Sequence, residues 1–274
     1  MLYGTAMGVV RSAGLDAGLE AVAAAHFTQV ELKCEDDALG VWRQDVPAMK
    51  RRLAALGLRA VSVHVATTGW DVENPDAAVR RAAVDAASRD FAVSAEVGAR
   101  LAVVHPNHST HEFTRADYAA SVARSVESLG ILAERAKREG MRLAVENMPH
   151  YGRPRPAGDF AELLSMIAPL GDHVGLCLDA GHAASNGLSP ADEARVGGQR
   201  IFTTHLHDCS APLKDDHVLP GLGLVDWPAL IRALDAFAPT AFHNFEIRTT
   251  PDRLPSDLAA LAALGRQWEG MRGS

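Results

Sequence analysis

The chain has 274 residues, 47% hydrophobic and 22% charged, with a formal charge of −7 and a pI near 5.9. That composition suits a soluble globular protein with a large core, and the acidic balance argues against a surface built to grip nucleic acid. Cys34, Cys177 and Cys209 are odd in number and widely spaced, which argues against a disulfide framework and fits a reducing compartment. No apolar stretch nears the roughly 20 residues of a membrane span, and no basic-then-apolar signal pattern opens the chain. A cytoplasmic location without membrane contact is expected.

In chain order, strands are predicted at 2–7, 28–33, 60–65, 101–105, 142–146, 174–179, 201–206 and 241–247. Each is a short apolar run bounded by polar residues or glycine, the pattern of a parallel strand buried on both faces. Between and after them, helices are predicted at 15–26, 39–57, 76–98, 113–139, 157–168, 189–199, 227–238 and 254–270. Gly57 and Gly140 stand where a helix ends, and Ser189-Pro190 where one begins. Strands alternating with helices in this number predict a single (β/α)₈ barrel over residues 1–274. An open doubly wound sheet would need a Gly-x-Gly-x-x-Gly after the first strand, and none is present. The irregular stretches 106–112, 147–156 and 207–226 all follow strands, so they belong to the catalytic face of such a barrel.

Four of these runs end near a metal-binding type of residue: Glu146, Asp179, His205 and Glu246. Residues alternate across a strand, so Ala144 and Glu146 share a face, as do Cys177 and Asp179, and Thr203, His205 and His207. A carboxylate on a doubly buried strand is costly unless it is paired or metal-bound. One alone reads as a structural ion pair. Four at equivalent strand ends predict an enzyme whose cup holds a divalent cation such as Mn²⁺, Mg²⁺, Co²⁺ or Zn²⁺.

Over most of its length, and most densely from Ala60 to Arg248, the chain resembles the xylose isomerase-like TIM-barrel superfamily, which holds sugar isomerases, ketose 3-epimerases, inosose-processing enzymes and endonuclease IV. The likeness is carried by Glu146, Asp179 with His182, His205 with Asp208, and Glu246. The stretch Pro220-Gly221-Leu222-Gly223-Leu224-Val225-Asp226-Trp227 resembles a segment of the sugar-isomerase branch. The resemblance implies one metal site held by Glu146, Asp179, His205 and Glu246. It implies that Glu146 and Glu246 double as proton carriers and that His182 touches substrate oxygens. The reaction implied is isomerisation or epimerisation of a small sugar, ketose or polyol through a metal-stabilised enediolate. Association into a homodimer or homotetramer is common among such barrels and is an expectation here.

Further residues leave other chemistry open. His64, His105, Asp215 and His217 complete a set resembling the multi-zinc site of endonuclease IV, which would favour phosphoester hydrolysis. Against DNA repair, Val65-Ala66-Thr67-Thr68 lacks the aromatic residue expected there, and no loop is dense in Lys and Arg. A dehydratase of the inosose or dehydroshikimate type would use the same four ligands.

Around the quartet, His207 is expected to be an alternate ligand, to support a ligand or to touch substrate, and Asp208 to orient a histidine or cap a turn. Trp70 and Trp227 are candidates for an apolar wall against a sugar. Arg248 is the better candidate for an anionic substrate group, with Arg153 and Arg155 behind it. Glu31 and Glu35 face either the cup or the surface. Cys177 reads as a small core residue and His108, His111 and His150 as exposed loop residues, His111 with the option of lining the mouth; for His26, His173 and His243 the sequence offers no argument for a role.

Overall fold

The computed structural model describes residues 3–107 and 114–271, so His108 and His111 lie outside the described residues. Eight parallel strands pair in chain order and close on themselves. They are β1 (Tyr3–Ala6), β2 (Gln29–Lys33), β3 (Arg59–His64), β4 (Leu101–Val104), β5 (Arg142–Glu146), β6 (Val174–Asp179), β7 (Ile201–Leu206) and β8 (Phe242–Phe245). Closure is made by β8 against β1, with Tyr3 opposite His243. The predicted (β/α)₈ barrel is the fold found.

The helices are α1 (Leu15–Ala24), α2 (Val46–Ala55), α3 (Ala77–Val97), α4 (Arg115–Arg138), α5 (Phe160–Ile167), α6 (Ala180–Ser185), α7 (Pro190–Gly197), α8 (Trp227–Phe237) and α9 (Leu254–Met271). Side-chain caps decide where several begin. Asp45 accepts from the Ala48 amide and splits the predicted 39–57 helix into a 3-10 turn, Val41–Gln44, and α2. Asp159 does the same at Glu162, so the helix expected from residue 157 starts at Phe160. Ser189 caps α7 with Pro190 in its first turn, as the sequence indicates. Gly57 and Gly140 end their helices at φ of 68° and 69°, a left-handed conformation that favours glycine.

Two departures from the expected elements shape the site. Helix α6 was not expected; it follows β6 without a loop because Asp179 caps it, accepting the His182 amide at 2.7 Å. The last strand stops at Phe245, so Glu246 lies one residue beyond β8. Apolar packing forms a shell between strands and helices, while Leu101, Val103, Ala144, Cys177 and Phe202 form a small separate cluster. A polar network of Glu31, Ser62, Thr203 and Asn244 runs among β2, β3, β7 and β8. No helix of the described residues is long and apolar enough to cross a membrane.

Candidate metal centre

Strand register brings the four expected ligands to one place. Asp179 on β6 is level with His205 on β7, and Glu146 on β5 is level with Cys177 on β6. His205 Nδ1 lies 3.0 Å from Glu246 Oε2, 3.3 Å from Glu146 Oε1 and 3.8 Å from Asp179 Oδ2. One potential ligand atom from each of the four falls within 4.8 Å of the others. His205 Nδ1 is buried and makes no hydrogen bond, although its other nitrogen is engaged 2.9 Å from Glu31 Oε1. A buried imidazole nitrogen facing three carboxylates fits a divalent cation in its donor types.

Groups behind the quartet fix its orientation. The Ser62 hydroxyl donates to Glu31 at 2.8 Å, placing Glu31 in the cup instead of on the surface. Asn147, which the sequence did not single out, bonds the Asp179 backbone twice: its Nδ2 donates to the carbonyl at 3.0 Å, and its Oδ1 accepts the amide at 2.8 Å. His207 Nε2 stands 2.9 Å from Asp179. It is fully buried and does not line the cavity, so the expectation that it touches substrate is corrected: it supports Asp179. A Cβ on Gly181 would collide with the His207 ring, which explains the glycine at that point of α6. Lys33 was also missed, and its ammonium lies 2.6 Å from Glu246 Oε1.

The charges are mutually dependent. Burial would raise the Glu146 carboxyl, yet His205 and His105 hold it well below the usual carboxylate range. Burial is likewise outweighed at Glu246, by His205 and Lys33. At His182, burial pulls the imidazole down, but Asp179, Asp215 and Glu146 push it up to about 10. His105 goes the other way, lowered to about 4 by burial.

Two more donor groups adjoin the quartet. His64 and His105 approach Glu146 Oε2 at 3.3 and 3.4 Å. His182, His207, Asp215 and His217 form the other cluster. In that cluster Nε2 of His182 and of His217 lie 3.4 and 3.0 Å from Asp215 Oδ1, a buried atom without a hydrogen bond. Their Nδ1 atoms are taken by the backbone carbonyls of Asn147 and Glu246, at 2.8 and 2.7 Å. All four residues of the notional second set, His64, His105, Asp215 and His217, therefore gather around the quartet.

A cavity of about 560 Å³ opens above these groups. Glu35 lines it, held by the Thr67 amide and hydroxyl at 2.9 and 2.7 Å. Arg248 stands at the rim, its side chain 65% exposed and 3.6 Å from Asp215. Arg153 is exposed, whereas Arg155 is buried and bonded to Asn107 and the Pro149 carbonyl. Trp70 does not form the expected apolar wall. It is buried and does not line the cavity, and its indole donates to the His105 carbonyl at 3.0 Å. Trp227 packs on Trp268 and donates to Asp208 at 2.9 Å. Asp208 is a turn cap, also accepting the amides of Cys209, Gly221 and Val225.

An uncharacterized protein of Sinorhizobium fredii is 28% identical over 178 residues, which cover 61% of this chain and 53% of that protein. The chain thus spans about half the length of that curated relative. The fold superposes on a D-tagatose 3-epimerase-like protein with a TM-score of 0.84, at 18% identity and covering 99% and 98% of the two chains. It superposes on the zinc-bound IolI protein with a TM-score of 0.78, at 17% identity and covering 98% and 96%. The family model described as a xylose isomerase-like TIM barrel matches residues 19–264, and the chain belongs to that family.

Proposed function

We propose that this chain is a divalent-metal-dependent enzyme that epimerises or isomerises a small ketose or polyol-derived substrate. The observation that carries the reading is the pair Glu146 and Glu246, both on the cavity lining and both within 3.3 Å of the unpartnered His205 Nδ1. Held by Glu146, Asp179, His205 and Glu246, a divalent cation would supply positive charge beside the substrate's carbonyl oxygen. One carboxylate removes a proton from the carbon next to that carbonyl, and the other returns a proton from its own side. Return to the same carbon inverts it; return to the neighbouring carbon interconverts aldose and ketose. His182 lines the cavity with Nδ1 committed to the Asn147 carbonyl, so Nε2, 3.4 Å from Asp215 Oδ1, is the nitrogen that would reach a substrate oxygen. Val9, Met148 and Ile247 add apolar wall that limits water around the reacting carbon. The likeness to a D-tagatose 3-epimerase-like protein supports a sugar over other carbonyl substrates.

The test is incubation of Mn²⁺- or Co²⁺-loaded protein with a panel of ketoses and inososes in D₂O, followed by NMR. Deuterium beside the carbonyl, with an epimer or isomer appearing, is expected. No exchange with any member of the panel would contradict the reading.

A second reading, a multinuclear zinc phosphoester hydrolase, is favoured by the donor atoms around Asp215 Oδ1 and by His64 and His105 at Glu146. It predicts nicking of an abasic duplex by zinc-loaded protein, lost in His105→Ala and His217→Ala.

A further inference from the structure

Glu246 is held differently from the other carboxylate flanking the cup. Glu146 pairs with imidazoles at both oxygens: His64 and His105 at Oε2, His182 and His205 at Oε1. Glu246 divides its two oxygens, with Oε2 3.0 Å from His205 Nδ1 and Oε1 2.6 Å from the Lys33 ammonium.

Several features keep Lys33 in place. It ends β2 level with His64, and the Trp42 indole donates to its carbonyl at 2.9 Å. Its side chain is only 9% exposed, yet it lines the cavity. Its stem passes over Gly8, where a Cβ would lie 3.3 Å from Lys33 Cε and 3.8 Å from Glu246 Oε1. The bland alternative is a buried ion pair that merely joins β2 to the end of β8. Such pairs add little to stability, because desolvation offsets most of their attraction. The placement points elsewhere: the ammonium meets Glu246 Oε1 while Oε2 faces His205 Nδ1, so the carboxylate is divided between Lys33 and the candidate cation site.

We propose that Lys33 is a positioning residue for Glu246, occupying one carboxylate oxygen so that the cation receives only the other. This rests on the metal-site reading above. It assigns Lys33 a role in setting the charge and coordination of the centre, separate from holding the fold together.

The experiment compares wild type, Lys33→Met and Lys33→Arg for Co²⁺ affinity by calorimetry, for the visible spectrum of bound Co²⁺, and for turnover. Lys33→Met removes a nearby positive charge and frees Glu246 Oε1, so Co²⁺ should bind tighter by about tenfold or more. Its Co²⁺ spectrum should change, and turnover should fall by about tenfold or more. Lys33→Arg should restore the wild-type spectrum and most of the activity. Tighter metal binding with lower turnover is not what a loosened fold gives. Unchanged affinity and spectrum in Lys33→Met would overturn the role of Lys33 while leaving the metal site standing. Weaker binding that parallels a loss of thermal stability would overturn it as well. If wild type itself binds no Co²⁺, the metal-site reading falls first and this proposal with it.

Discussion

The imidazole of His205 is held at one end and open at the other: Nε2 lies 2.9 Å from Glu31, while Nδ1, 3.0 Å from Glu246 Oε2, makes no hydrogen bond. With Glu31 accepting from Nε2–H, a bound cation would take the lone pair of Nδ1, the form a metal ligand needs. A carboxylate also makes that imidazole more electron-rich. Glu31→Gln keeps a hydrogen-bonding group of the same size but removes the charge. It is expected to weaken Co²⁺ or Zn²⁺ binding by about 10- to 100-fold, read by competition with a chelating dye. Unaltered affinity would remove Glu31 from the centre's support.

Replacing either proton carrier should stop the reaction without unfolding the barrel. Glu146→Gln and Glu246→Gln are each expected to cut turnover by about 10²- to 10⁴-fold. Circular dichroism should be unchanged for both variants. Normal turnover in either one would cancel the acid/base assignment.

The metal-free protein should lose stability in alkali through His182. Its folded imidazole is raised from 6.5 to about 10: burial opposes the shift, but Asp179, Asp215 and Glu146 outweigh it. A raised folded value stabilises fully below the unfolded pKa of 6.5 and is lost as pH climbs through about 10. Melting temperature of chelator-treated protein should therefore decline across that window, and His182→Asn should flatten the decline. Parallel curves for the two proteins would contradict this.

Asp208 supports the long loop after β7. It is fully buried and accepts from the amides of Cys209, Gly221 and Val225 and from the Trp227 indole. Asp208→Ala leaves these donors unpaired and should cost about 3 kcal/mol in urea unfolding. Asp208→Asn, which keeps one acceptor oxygen, should cost less. A cost under about 0.5 kcal/mol for the alanine variant, the size of an ordinary surface change, would mean that the loop holds itself.

The barrel and the quartet were legible because both rest on short-range pattern. Doubly buried strands read as apolar runs, and a lone carboxylate or imidazole ending such a run stands out, as Asp179 does after Leu176-Cys177-Leu178. What required coordinates was anything set by register or by loop path. Glu31 and Glu35 look alike in sequence; one bonds His205 in the cup and the other is held by the Thr67 amide and hydroxyl at the cavity wall. Trp70 was misread because a loop tryptophan does not announce which way it turns, and here it turns into the core. Lys33 was missed because a lysine closing a strand usually reaches water. Only period-2 alternation from Glu31 hinted at the cup. Helix α6 was too short and too close to β6 to register as a separate element.

Metal content, by elemental analysis of untagged wild type beside His205→Ala, tests the central claim most directly. The prediction is about one Mn, Co, Mg or Zn per wild-type chain through the quartet, lost when His205 is replaced. Two or three zinc ions per chain would shift the weight to the hydrolytic reading. Wild-type protein that stays metal-free after supplementation with each of these ions would contradict the account.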